Sequence, residues 1–139
     1  MKKNINLVLF FAVVVAVFLF WNYAHGLSIR FPELDFSRWK FGVASWYSEK
    51  DRHINEYTAS GEKFSDQAIT CASWNYPFGE KLLVINVLGG SYVVCRVNDR
   101  GPGKRLHRDI DLTKAAFKKI SRVEKGLIYV VIIPTAKKK

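Results

Sequence analysis

The sequence predicts a mainly β domain, a small closed barrel with one or two short helices, preceded by an N-terminal hydrophobic helix. Three observations predict it. Short apolar or alternating runs recur beyond residue 40, each about the length of a strand; paired glycines, Gly89-Gly90, separate two of them; and an uncharged apolar stretch opens the chain behind Lys2-Lys3. A length of 139 residues suffices for one small domain.

The elements follow in chain order. Residues 7–21 behind Lys2-Lys3 have the form of an export signal or a membrane anchor. A buried core helix is disfavoured, because the run is apolar all round and terminal. Residues 1–26 are therefore assigned to a signal peptide or anchor, and the protein to the periplasm or cell envelope. Ala24-His25-Gly26 is only a tolerable small-x-small cleavage site, so the reading leans toward an uncleaved anchor in the cytoplasmic (inner) membrane. No cysteine follows the apolar run, so the protein is not expected to be a lipoprotein. Residues 27–40, with Pro32, charges and aromatics in no clean period, read as a linker, and the domain spans 41–134. Alternation from Phe41 to Trp46 gives a first strand and the apolar run 81–87 a second. Gly89-Gly90 closes a tight primed hairpin onto a strand over 91–99. Leu112, Ala116 and Ile120 form one stripe of a short helix with Asp111 as N-cap. A last strand covers 127–133, and 135–139 is a basic tail.

With 22 Lys+Arg against 12 Asp+Glu the formal net charge is +10, which favours an anionic partner. Export excludes nucleic acid as that partner and leaves lipid headgroups or the carboxylate-bearing peptides of a cell wall. Cys71 and Cys95 are the two cysteines. In an oxidising compartment they form one disulfide, closing a loop of about 25 residues worth about 3 kcal/mol; a buried free thiol at Cys95 is the competing reading. His25, His53 and His107 show no ligand spacing, so neither a metal nor any other cofactor is expected.

The chemistry-bearing segment is Val97-Asn98-Asp99-Arg100-Gly101-Pro102. By alternation Val93, Cys95 and Val97 share a face with Asp99, which places its carboxylate at the rim of the apolar core. Lost hydration there raises a carboxyl pKa and suits it to general acid work. The alternative is a turn-capping Asp, and an Arg100 ion pair would oppose the acid role.

Five segments in order, Gly42-Val43-Ala44-Ser45-Trp46-Tyr47, Thr58-Ala59-Ser60-Gly61-Glu62-Lys63-Phe64, Pro77-Phe78-Gly79, Val97 to Pro102 and Asp109-Ile110-Asp111-Leu112, resemble the signature of the rare lipoprotein A family. The resemblance covers residues 41 to 133. It implies a six-stranded double-psi β-barrel related to expansins and a lytic transglycosylase that cleaves peptidoglycan glycan strands without water, leaving 1,6-anhydromuramic ends. It implies Asp99 as the acid and Glu62 as a second catalytic carboxylate that orients substrate or shuttles the proton. Trp46, Tyr47, Thr58, Ser73 and Arg100 are the expected substrate-binding residues, with Trp74 and Tyr76 as further aromatics near the groove and Lys104, Arg105 and Arg108 as cations for stem-peptide carboxylates. Ser73 departs from the family, which commonly carries histidine there; a hydroxyl cannot titrate near neutral pH. The alternative function is a non-catalytic, expansin-like peptidoglycan-binding module. No protein partner is implied.

Overall fold

A computed structural model describes residues 34–52 and 54–135. The hydrophobic N-terminal helix, the signal or anchor over 1–26, most of the linker, His25, His53 and residues 136–139 lie outside the described residues.

Six strands close on themselves: β1 (Lys40–Tyr47), β2 (Thr70–Ala72), β3 (Lys81–Asn86), β4 (Tyr92–Asp99), β5 (Ile110–Thr113) and β6 (Ile128–Pro134), in the order β1-β5-β2-β4-β3-β6. β1 pairs with β5, and β2 with β4, in parallel; the remaining neighbours are antiparallel. Closure removes the free edges that an open sheet would expose. One short helix, α1 (Lys114–Lys118), follows β5 directly.

Alternation decides what fills the barrel. Leu82 and Val84 of β3, Val93, Cys95 and Val97 of β4, and Val130 and Ile132 of β6 point inward and are buried, joined by Ala44, Cys71, Ile110 and Leu112. Phe117 of α1 is the bulkiest fully buried side chain of this cluster. A smaller cluster of Tyr47, Phe64 and Ala72 sits on the outer face of the sheet, and it underlies the site described below.

Gly42 is required by a close approach. A Cβ there would stand 2.8 Å from Asp109 Cβ, and the Asp109 carboxylate already fills the space, accepting from Val43 N at 2.9 Å and pairing with Lys40 Nζ at 2.6 Å. Gly42→Ala is expected to lose about 1–3 kcal/mol, read as a lower urea midpoint. An unchanged midpoint would show that Asp109 simply steps aside.

Several expectations are corrected. The barrel begins before Phe41: Leu34 bridges to Thr135, and Asp35 N donates to Pro134 O at 2.8 Å, so the end of the expected linker is pinned to β6. The hairpin is real, with Ile85 opposite Tyr92, but its loop is longer than a two-residue turn. Asn86 N donates to Ser91 O at 2.9 Å, Asn86 Oδ1 caps Leu88 N and Gly89 N, and Gly90 takes the positive φ of 68°. Asp111 is not a helix cap, because pairing with β1 and β2 extends β5 through Thr113. Leu112, Ala116 and Ile120 are all buried, as the stripe predicts.

The disulfide is also corrected. Cys71 and Cys95 are both free thiols, buried in the barrel. Cys71 is in register with Val97, which makes Cys95 its diagonal neighbour on β4. Burial, with the adjoining Cys95 thiol, pushes the Cys71 thiol well above its ordinary range.

Candidate active site

Strand register assembles the site. Ser45 is opposite Asp111, Asp111 opposite Ala72, and Ala72 opposite Asp99. Residues in register share a face, and Ala72 packs with Tyr47 and Phe64, so the row lies on the outer surface of the barrel. Simple alternation places Asp99 with Val97 on the core side, and the structure overturns this. Between Cys71 and Ala72 the register shifts, β4 spending Asn98 as an additional residue against β2. Such a bulge re-aims the side chain that follows it. Asp99 thus joins Ala72 on the outer face, half-buried.

A loop from the Thr58-to-Phe64 segment clasps the end of β4. It closes on itself through Thr58 N to Glu62 O at 2.8 Å and Gly61 N to Thr58 O at 2.9 Å, with Gly61 at φ 86°. Ser60 N donates to Asn98 O at 3.1 Å, while Ala59 N and Arg100 N both donate to Asp99 Oδ1 at 2.8 Å. The Asp99 carboxyl is therefore oriented by backbone donors from two segments.

Glu62 reaches the same face by another route. Its carboxylate takes a bidentate pair from Arg96 Nη1 and Nη2 at 2.6 and 2.8 Å and a bond from Asn98 Nδ2 at 3.0 Å. Arg96, then Asn98, hold its pKa down at about 2. A carboxylate so held favours its ionised form, which suits the expected substrate-orienting role better than the proton-shuttling one. A depressed folded pKa contributes stability above the unfolded value of 4.5 that is lost as pH falls toward 2. Arg96→Gln is expected to flatten that part of the unfolding profile; because both partners are well exposed, screening keeps the effect small. A profile identical to the parent's below pH 4.5 would mean the pair contributes nothing.

Asp111 is the carboxylate that sequence reasoning missed. Its place before an apolar stripe suggests a cap, although Asp109-Ile110-Asp111-Leu112 stands among the signature segments. Burial pushes its pKa up, only partly opposed by the Ser45 hydroxyl bonded to Oδ1 and by Arg108, whose Nη2 is 3.6 Å from Oδ2; the charge of Asp99 pushes it further up. Tyr47 closes the group. Its ring packs on Phe64 at 4.7 Å between centroids, and its buried hydroxyl has no hydrogen-bond partner among the described residues. Burial first, then the carboxylates of Asp99 and Asp111, push that hydroxyl's pKa up, so it remains a proton donor facing the two acids.

The other expected substrate contacts separate. Trp46 faces the opposite way from Tyr47, packs against the main core and donates from Nε1 to Val123 O at 3.0 Å. Tyr76 is a core residue bonded to Arg38 O. Thr58 is buried and spends its hydroxyl on Ser60 and Glu62 O. Ser73 is fully buried, donating from N to Asp99 O at 3.1 Å and accepting from Asn75 N on Oγ. Among the described residues Arg100 pairs with no carboxylate: its Nη1 donates to Ser73 O at 2.7 Å and Tyr76 O at 2.9 Å, and its guanidinium lies 3.7 Å from the centre of the Phe78 ring. These five side chains build the framework of the barrel and the site. Trp74, by contrast, is exposed at its edge. Among the described residues no cluster of His, Cys, Asp or Glu is arranged to hold a metal ion.

The profile of the lytic transglycolase family matches residues 40–132, every strand of the barrel included save the end of β6. The chain belongs to that family. Relatives of this chain include the probable endolytic peptidoglycan transglycosylase RlpA of Nostoc sp., 40% identical over 86 residues, covering 62% of this chain and 23% of the relative. The endolytic peptidoglycan transglycosylase RlpA of Neisseria meningitidis is 39% identical over 93 residues, 66% of this chain and 37% of its own. The chain thus spans about a quarter to a third of the length of these relatives. Among solved structures, the Streptomyces papain inhibitor superposes with a TM-score of 0.57 at 19% identity over 71% of this chain and 96% of its own. An aspartate-to-asparagine variant of Clavibacter michiganensis expansin in complex with cellohexaose gives 0.54 at 19% identity, over 73% and 52%. At such identities the two structures share the barrel fold.

Proposed function

We propose that this family member is a lytic transglycosylase that cleaves peptidoglycan glycan strands in the cell envelope, with Asp99 as its acid. The observation that carries the reading is the placement of Asp99: half-buried on the outer face, held by two backbone N–H groups, and flanked by a second carboxyl and an unpaired phenol. The relatives named for endolytic peptidoglycan transglycosylase activity support the substrate. The two parallel pairings, β1 with β5 and β2 with β4, support a double-psi topology.

In this mechanism the Asp99 carboxyl gives its proton to the glycosidic oxygen as the bond to the muramyl C1 breaks. The substrate's N-acetyl oxygen stands in for a second enzymic nucleophile. The muramyl 6-hydroxyl then closes on C1, and its proton returns to Asp99, so no water is consumed. Asp111, kept toward its neutral form by burial, limits the negative charge beside Asp99, and the Tyr47 hydroxyl can donate to whichever carboxylate is ionised. Glu62 contributes a fixed negative charge opposite the developing cation.

Mass spectrometry of peptidoglycan digested by the purified protein tests the proposal. 1,6-Anhydromuramic ends are expected. Reducing ends would replace the reading with hydrolysis, and intact strands that bind the protein would replace it with the expansin-like binding module. That second reading is favoured by one observation: Ser73, standing where the family commonly has histidine, is sealed from solvent and offers the substrate nothing.

A further inference from the structure

We infer that Trp74 and Lys104 form a carboxylate-reading subsite beside Asp99, which takes the muramyl unit by the face of its sugar and by the acid that it carries. The inference rests on the peptidoglycan reading above and specifies which feature of the strand is selected.

Trp74 leaves the site at its edge. It stands two residues beyond Ala72, the floor of the carboxylate row, and the intervening Ser73 N is bonded to Asp99 O at 3.1 Å. Its indole is fixed, because Nε1 donates to Pro102 O at 2.8 Å across the turn that follows Asp99. With the polar edge satisfied and 54% of its surface exposed, the ring presents a rigid apolar face to solvent. Nothing in the fold requires that. A fixed aromatic face with its donor already occupied suits the apolar face of a sugar ring.

The cation supplies the second half. Lys104 Nζ stands 5.6 Å from the Trp74 ring centre, a position that the ring's electrons favour. Among the described residues neither Lys104 nor Arg105, its neighbour in the same short turn, pairs with a carboxylate. An ammonium over an exposed indole that is itself bonded to the turn after Asp99 offers a cation and an apolar face together at the edge of the carboxylate row. A neutral glycan would use the ring alone. A strand in which every second sugar carries an acid uses both groups. The shared chemistry is a carboxylate on the muramyl unit, from either the lactyl ether or the stem peptide.

Calorimetric titration of the full chain in an Asp99→Asn background, which keeps strands intact, tests this with three probes: chitotetraose, the peptide-free N-acetylglucosamine–N-acetylmuramic acid tetrasaccharide, and the same tetrasaccharide bearing stem peptides. At low salt the muramyl probes are expected to bind about three- to fivefold tighter than chitotetraose, the range of one exposed charge pair. Lys104→Gln brings that ratio to one without weakening chitotetraose, and Trp74→Leu weakens all three probes about fivefold. If advantage appears only with the stem peptide, the carboxylate read is the peptide's; if it appears without it, the lactyl group's. Equal binding of all probes, unaltered by Lys104→Gln, overturns the subsite and leaves the transglycosylase reading standing. Absence of binding to both muramyl probes overturns the two together.

Discussion

Asp99→Asn is expected to abolish formation of 1,6-anhydromuramic ends, with a loss of at least about 100-fold, the lower bound for removing a positioned general acid. The fold should not suffer. An asparagine Oδ1 can accept the same bonds from Ala59 N and Arg100 N that orient the carboxyl, and the bulge that turns the residue outward is a property of the β2–β4 pairing. The variant should therefore retain its urea midpoint and its binding to isolated cell walls while releasing no product. Product formation within about tenfold of the parent, well short of the loss that removal of a general acid brings, would remove Asp99 from the chemistry.

Arg100→Met is expected to lower stability by about 3 kcal/mol, which for a domain of this size shifts the melting temperature by more than about 10 °C. Its guanidinium holds the carbonyls of Ser73 and Tyr76 and lies against the Phe78 ring. Each bond to a charged group contributes about 1.5–3 kcal/mol and the stacked cation about 1 kcal/mol. Arg100→Lys should rescue only part of the loss, because an ammonium in place of Nη1 can donate to both carbonyls but lacks the plane that stacks on the Phe78 ring. The measurement is thermal unfolding followed by circular dichroism. A substrate-binding arginine would behave in the opposite way, raising KM at unchanged stability.

Much of the fold was legible where a strand has one wet and one dry side. β1, β3, β4 and β6 announce themselves by alternation or by apolar length, and the hairpin by its glycines. β2 and β5 do not. One is three residues long, and the other is buried at all four positions, so neither carries a period. Their loss from the reading is why Asp111 looked like a cap: with β5 invisible, the apolar stripe through Leu112 could only be helical. For the site, Asp99 stands out at the end of its alternating strand and Glu62 only through the family resemblance; the structure brings both to one face, yet the direction of the Asp99 side chain escaped alternation. Asp99 was turned by a bulge that exists only in the pairing with β2. Trp46 and Tyr47 were indistinguishable as neighbours in sequence, and pairing with β5 decides which of them meets Asp99. Ser73 and Arg100 belong to the site by chain position and to its framework by burial and bonding, information that resides in contacts across the barrel.

The bridge between Leu34 and Thr135 brings the entry and exit of the barrel side by side. A module whose two ends meet on one flank can be spliced into a longer polypeptide like a cassette, since flanking sequence of any length departs from a single point and strains no strand. The Nostoc and Neisseria relatives, of which this chain matches 23% and 37%, are longer polypeptides. The same geometry predicts that the barrel tolerates circular permutation, with a short peptide joining its natural ends and new ones opened in the exposed Leu88-Gly89 tip.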